Sequence, residues 1–119
     1  MHSFLRQGDI VTAPVTPDAG DLKPRPAVVL STSDEMKRTG RALLIGVTSS
    51  FFPDPYLYFE LPWRADGNVS TGLRAPSAAK RTMVQEFDAV ALKPTPRYVP
   101  KARMAALLDW LEQFPQTHG

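Results

Sequence analysis

The pattern of apolar and polar positions predicts short strands over most of this chain. Apolar runs recur between Pro, Gly, Asp and Ser residues, which is typical of strands joined by turns. In one run, Leu57, Phe59 and Leu61 alternate with Tyr58 and Glu60, as expected for a half-buried strand. The predicted strands occupy 9–15, 26–31, 41–50, 56–61, 77–80 and 82–91.

A helical repeat is confined to the C-terminal segment, where a helix is predicted over about 100–114. Pro100 suits the first turn of this helix. An earlier segment, 33–40, is predicted to form a short helical turn that Gly40 closes. The apolar stripe of the C-terminal helix consists of Met104, Leu107, Leu108, Leu111 and Phe114.

This succession of elements predicts a mainly β fold with a small α content. Many short strands followed by one amphipathic helix are typical of a small β-barrel or rolled sheet that a helix caps. At 119 residues, the chain is expected to form a single domain. We expect the barrel over about 6–92 and the capping helix over about 100–114.

Composition indicates an ordinary globular protein. Hydrophobic residues make up 43% of the chain and charged residues 22%, and there is no cysteine, which favours a reducing cytoplasm. We expect neither a membrane span nor a secretory signal, because no apolar run approaches about 18 residues. The net charge of +2 permits an anionic partner without requiring one.

The sequence offers little support for metal or cofactor chemistry. His2 and His118 both lie within two residues of an end of the chain, where backbones usually fray. The carboxylates show no metal-ligand spacing, and no nucleotide-binding glycine motif is present. We therefore expect no metal and no cofactor.

Arg25 is the most distinctive polar residue, because it lies between Pro24 and Pro26 at the start of a predicted strand. Pro26 biases Arg25 toward extended geometry. A guanidinium held in this way presents paired donors that match a phosphate, although a solvated loop arginine stays the alternative. Hydroxyl groups of Thr48, Ser49 and Ser50 end another predicted strand and are either turn formers or phosphate donors.

Five short motifs follow one another along the chain: GDIV (8–11), RPAVVLS (25–31), GVTSS (46–50), STGL (70–73) and PS (76–77). In their order and spacing, the chain resembles the MazF/PemK family, the toxins of type II toxin–antitoxin modules, from residue 8 to about 90. The resemblance implies an SH3-like barrel, a homodimer, and a metal-independent endoribonuclease that cuts single-stranded RNA at short sequences. It places Arg25 and Thr48 at the family's catalytic positions.

The same resemblance implies how RNA and a partner would bind. The loops at 13–24, 49–56 and 63–72 are expected to line a groove across the dimer, and an antitoxin with a disordered, acidic, partly hydrophobic segment is expected to cover it. The residues expected to contact RNA are Lys23, Ser49, Ser50, Arg64, Lys80 and Arg81.

One departure from the family pattern concerns the general base. After PS, many family members continue with two apolar residues, an arginine, one further residue, and an Asp-Gln pair. Here Lys80 takes the place of the arginine and Thr82 that of the aspartate. The sequence therefore leaves the proton acceptor unassigned.

Three alternative functions stay open. A catalytically weakened or silent relative would bind RNA or an antitoxin-like partner without cleavage. A gyrase-poisoning toxin of the same barrel would act through protein contacts. An SH3-like interaction module outside this family would leave the ordered motifs unexplained.

Overall fold

The computed structural model describes residues 5–15 and 23–113. Within them, five strands, two α-helices and one 3₁₀ turn follow one another. The strands are β1 (Ile10–Ala13), β2 (Arg25–Val29), β3 (Arg41–Thr48), β4 (Tyr58–Leu61) and β5 (Ser77–Asp88). The helices are α1 (Ser33–Thr39) and α2 (Lys101–Gln113), and the 3₁₀ turn covers Ala89–Ala91.

The strands form one antiparallel sheet in the order β1-β2-β3-β5-β4. Strand β5 is long enough to pair with two neighbours, and its register against β3 shifts between the pairs Ile45–Val84 and Val47–Ala79. Three extra residues of β5 are accommodated there, and an irregularity of this kind bends a strand. The bend lets the first half of β5 carry β4 while the second half continues along β3.

Alternation along the strands divides the core between the two faces of the sheet. On one face, Ile45, Val47 and Phe59 pack with Leu107 and Trp110 of α2. On the other face, β1, β2 and β3 contribute a second cluster with Met36 of α1. That cluster consists of Leu5, Val11, Ala13, Val15, Ala27, Val29, Met36, Ala42, Leu44, Met83 and Leu92.

Helix α1 has a complete set of end signals in the sequence. The Thr32 hydroxyl accepts a hydrogen bond from the Glu35 backbone N–H, and the Glu35 carboxylate accepts one from the Thr32 backbone N–H. This capping box satisfies two backbone donors at the start of the helix. Gly40 ends it in the left-handed conformation, with φ of +71°, which glycine adopts without steric cost.

The predicted mainly β fold with a C-terminal helix is confirmed, as is the short helix before Gly40. The prediction of two separate strands near 77–80 and 82–91 is wrong. A single strand, Ser77–Asp88, runs through both, because the register shift against β3 absorbs the break in the apolar pattern. The predicted stripe of α2 omitted Trp110, which is buried, and Phe114 lies outside the described residues.

No helix in the described part of the chain is both long enough and apolar enough to cross a membrane.

Candidate functional site

One end of the sheet has an end of each of the five strands. Strands β1, β3 and β4 finish there, and β2 and β5 begin there. Loop 49–57 starts at this end and loop 62–76 both starts and finishes there. We call it the loop end of the sheet. Of the loops that the sequence indicated as a groove, 49–56 and 63–72 adjoin this end, and most of 13–24 lies outside the described residues.

Arg25 is the first residue of β2 and lies opposite Ala13 of β1. Its side chain is half-buried, and its Nε atom is shielded from solvent. The side chain therefore lies against the protein instead of extending into water. Partial desolvation strengthens the attraction of a guanidinium for an anion, because the local dielectric is lower than that of bulk water.

Thr48 is the last residue of β3, and its hydroxyl group is held by the turn that follows. The Ser50 backbone N–H donates to Thr48 Oγ1 at 3.0 Å, and Thr48 Oγ1 in turn donates to the Ser50 carbonyl oxygen at 3.2 Å. The first bond fixes the oxygen. The second is long, so the hydroxyl proton can turn to another acceptor at little cost.

Arg25 and Thr48 lie at the same end of neighbouring strands. The last residue pair between β2 and β3 at this end is Ala27–Gly46, and Arg25 and Thr48 each lie two residues beyond it. Strand alternation places both side chains on the same face of the sheet as Ala27 and Gly46. The two residues that the sequence indicated as catalytic therefore share one end and one face of the sheet.

Thr48 pairs with Ala78 of β5, and Ala78 pairs in turn with Glu60 of β4. Residues paired in this way project to the same face of the sheet. Two strand spacings separate Thr48 from Glu60, about 10 Å between Cα atoms, and only the small side chain of Ala78 lies between them.

Lys80 belongs to the same face, one step along β5. It lies opposite Tyr58, and its Nζ atom is 6.0 Å from the centroid of the Tyr58 ring. Phe51 and Phe52 pack on the same ring, at centroid distances of 5.5 Å and 5.3 Å. A cluster of three aromatic rings and one cation therefore borders the Arg25–Thr48 pair. We call it the aromatic cluster.

Arg81 has a different environment from the other expected RNA contacts. Its Nε donates to the Tyr56 carbonyl oxygen at 2.7 Å and its Nη2 to the Trp110 carbonyl oxygen at 2.8 Å. The guanidinium carbon lies 4.0 Å from the centroid of the Trp110 ring. Burial lowers the pKa of Arg81 from its ordinary value. These contacts bind α2 to the sheet, so we do not include Arg81 in the proposed RNA surface.

The remaining expected RNA contacts lie on exposed loops at the loop end. Lys23 precedes β2, and Ser49 and Ser50 follow β3; all three are exposed. Arg64 is also exposed and forms a local ion pair with Asp66, with its Nε 3.1 Å from the carboxylate oxygen. An exposed pair of this kind is weak, so Arg64 can exchange Asp66 for a phosphate.

The STGL motif (70–73) builds the turn that closes loop 62–76. Thr71 is buried, and its hydroxyl donates to the Pro62 carbonyl oxygen at 2.8 Å and accepts from the Leu73 backbone N–H. Gly72 has a φ of +72°, in the region that favours glycine. The motif therefore has a structural role in this chain.

Sequence reasoning missed two features of this region. It treated Arg81 as a surface cation, because an arginine beside a lysine in a strand gives no sign of a helix packed over it. It also did not predict that Phe51, Phe52, Tyr58 and Lys80 cluster. Strand alternation does place Tyr58 on the face opposite Phe59, but its pairing with Lys80 depends on the register between β4 and β5. Within the described residues, no three acidic or histidine side chains converge as a metal site would require.

Comparisons with known proteins agree with this architecture. A family model described as the PemK-like, MazF-like toxin of type II toxin–antitoxin systems matches residues 6–114. No curated protein sequence matches the chain.

Solved structures of similar fold extend over nearly the whole chain. MazF from Deinococcus radiodurans superposes with a TM-score of 0.71 at 21% identity, covering 96% of this chain and 98% of that one. A MazE-MazF structure from the same organism gives 0.69 at 20% identity, covering 97% and 98%. An endoribonuclease in complex with its cognate antitoxin from a mycobacterial species gives 0.66 at 13% identity, covering 90% of both chains. At these identities the likeness establishes the fold.

Proposed function

Because the chain belongs to the PemK-like, MazF-like toxins of type II toxin–antitoxin systems, we propose that it is an endoribonuclease that cleaves single-stranded RNA without a metal ion. The observation that supports this proposal is that Arg25 begins β2 and Thr48 ends the adjacent strand β3, at the same end of the sheet. A planar cation and a hydroxyl donor on adjacent strands are suited to the two non-bridging oxygens of a phosphodiester.

The 2′-OH of RNA is the nucleophile, so the protein does not need to supply one. It has to orient the 2′-OH toward the phosphate and stabilise the charge that develops there. The 2′-oxygen forms a bond to phosphorus while the bond from phosphorus to the 5′-oxygen breaks. Water accepts the proton of the 2′-OH and supplies one to the leaving 5′-oxygen, so the products are a 2′,3′-cyclic phosphate and a 5′-hydroxyl group. Charge grows on the non-bridging oxygens during this exchange, and fixed donors lower the barrier by stabilising it.

Arg25 acts as the main electrostatic donor. Its guanidinium binds the non-bridging oxygens and reaches toward the leaving 5′-oxygen, where a hydrogen bond stabilises the developing alkoxide. Its half-buried position limits the number of rotamers that it loses on binding. Arg25 therefore orients the phosphate and offsets its growing charge.

Thr48 acts as the second donor. The Ser50 N–H keeps Oγ1 in place, and the hydroxyl proton turns from the Ser50 carbonyl oxygen toward the phosphate. Thr82, at the position where many relatives have an aspartate, is exposed and offers no carboxylate. The proton of the 2′-OH therefore passes to an acceptor other than a side chain at position 82.

Partners follow from the same proposal. We propose that the protein works as a homodimer in the cytoplasm and that a cognate antitoxin inhibits it by covering the loop end of the sheet. The support is the family, together with two solved structures of similar fold, a MazE-MazF structure and an endoribonuclease in complex with its cognate antitoxin. Exposed cations at this end, Lys23 and Arg64, favour a partner segment that carries negative charge.

The experiment that tests the function is cleavage of a long single-stranded RNA by purified protein in EDTA, with the 5′ ends mapped. We expect discrete cuts that persist in EDTA and that disappear in the Arg25→Ala variant. Arg38→Ala is the matched control, because Arg38 is an exposed arginine of α1 and should cut as the unmodified protein does. A folded dimer that gives no cuts would exclude the catalytic function and favour a silent, RNA-binding relative.

A further inference from the structure

We propose that the aromatic cluster is a stacking site for one unpaired nucleobase of the RNA strand, adjacent to the phosphate that Arg25 and Thr48 hold. Phe52 provides the stacking ring, Phe51 and Tyr58 support it, and Lys80 binds the neighbouring phosphate. This inference rests on the proposed function, which it extends from the phosphate to a base.

The packing of the rings holds Phe52 in place while leaving it accessible. Phe52 meets Tyr58 nearly edge to face, with an interplanar angle of 82° and a centroid distance of 5.3 Å, which is a favourable aromatic geometry. Tyr58 itself is only 9% exposed, and Phe51 tilts against it at 49°. Phe52 nevertheless remains 57% exposed. A base can therefore stack on a ring whose orientation is already set, and little side-chain entropy is lost.

The position of the cluster relative to the catalytic pair follows from strand register. Lys80 lies two residues beyond Ala78, which pairs with Thr48. Lys80 and Thr48 therefore share a face and are separated by about 7 Å along the strand direction and one strand spacing across it. Phe51 and Phe52 follow Thr48 directly in the chain, after the turn that Ser50 closes. Phe52 is thus four residues from Thr48 in the chain, and the Tyr58 ring that it packs against lies beside Lys80.

The chemistry of the cluster favours a nucleobase of single-stranded RNA over other ligands. Every base has an aromatic face, and an exposed ring beside a cation binds both the base and its phosphate. Bases in a duplex are already stacked, so a protruding ring can bind them only where the strand is unpaired. We therefore expect the site to accept any base and to add affinity more than sequence preference.

Binding of two uncleavable probes tests the site. One probe is a 2′-O-methyl oligouridine about eight nucleotides long, and the other is an abasic ribose-phosphate chain of the same length. Fluorescence anisotropy gives the Kd of each. Phe52→Ala should weaken oligouridine binding by about tenfold to a hundredfold and leave the abasic chain unchanged. Phe52→Trp should restore oligouridine binding, and Lys80→Ala should weaken both probes because it removes a phosphate contact.

Tyr98→Ala is the matched control, because Tyr98 is an exposed ring whose backbone bridges to Asp9, at the end of β1 away from Arg25. It should change neither Kd. Equal effects of Phe52→Ala on both probes, or no effect on either, would overturn the stacking site. If oligouridine binds through Phe52 but no RNA is cut, the stacking site stands and the catalytic proposal fails. If RNA is cut and Phe52→Ala binds oligouridine normally, the catalytic proposal stands and the stacking site fails. A protein that neither binds the probes nor cuts RNA would overturn both.

Discussion

Arg25 begins β2 and Thr48 ends β3, and each lies two residues beyond the pair Ala27–Gly46 at the loop end of the sheet. Strand alternation directs both side chains to one face, although 22 intervening residues, including helix α1, separate them in the chain. The small side chains of Ala13 and Ala78 flank them on the same face. In the proposed function both residues act on one phosphate, so substitutions at each residue separate a charge effect from a hydroxyl effect.

The first prediction separates these two effects. Thr48→Val should lower the cleavage rate about a hundredfold to a thousandfold, because it removes one donor at a nearly unchanged volume. Thr48→Ser should keep most of the activity. Arg25→Lys retains the charge but loses the fork, so we expect a loss close to that of Arg25→Ala. Single-turnover rates measure each effect. A Thr48→Val variant that cleaves normally would remove Thr48 from the mechanism.

The second prediction concerns the attachment of α2 by Arg81. Arg81→Ala should lower the free energy of unfolding by about 2–4 kcal/mol, because it removes charged hydrogen bonds to the carbonyl oxygens of Tyr56 and Trp110 and a cation–π contact. Urea unfolding measures the change, and Arg38→Ala on exposed α1 should change it little. A stable Arg81→Ala variant with weakened RNA binding would show instead that Arg81 belongs to the RNA surface.

The third prediction concerns the packing around Gly46, two residues before Thr48. A Cβ added at Gly46 would lie 2.6 Å from Met83 Cε, 3.1 Å from Met83 Cβ and 3.1 Å from Val15 Cγ1. The Met83 terminus can move, but its Cβ belongs to the bent part of β5. Gly46→Ala should therefore destabilise the protein by about 1–3 kcal/mol. Met83→Ala is itself destabilising because Met83 is buried, but Gly46→Ala should cost less in a Met83→Ala background than in the unmodified protein. Unchanged stability of the single variant would contradict the close packing.

The elements of the fold could be predicted from the sequence where the local pattern was unambiguous. Apolar runs located β1, β2 and β3, and the sequence around Thr32 and Gly40 contains both end signals of α1. The continuous strand β5 could not be predicted, because its register shift depends on pairing with β3, which is distant in sequence. Local patterns thus determine which segments are strands, and long-range pairing determines where a strand bends.

The candidate site divides in the same way. Arg25 and Thr48 were predicted from motifs, and the strand order places the two motifs at the same end of adjacent strands. Arg81 and Lys80 are adjacent cations with the same appearance in the sequence. Their environments differ only in the folded structure. Arg81 packs against the rings of Tyr56 and Trp110, whereas Lys80 lies near the Tyr58 ring of the aromatic cluster. The burial of a charged side chain depends on tertiary packing, so it could not be predicted from local sequence.

The last prediction concerns pH. The pKa of Glu35 is lowered from its ordinary value of 4.5, because its carboxylate accepts a hydrogen bond from the Thr32 backbone N–H. A carboxyl group whose pKa falls on folding stabilises the protein above its unfolded-state pKa, and this contribution is lost as the pH falls through the folded-state value. Glu35→Gln keeps an acceptor but removes the charge. Its deficit in unfolding free energy should therefore be present at neutral pH and should shrink well below pH 4.5. Urea unfolding at several pH values measures this difference, with Asp34→Asn as a control that alters another charge in the first turn of α1. A deficit that stays constant across this range would mean that the Glu35 charge does not stabilise the start of the helix.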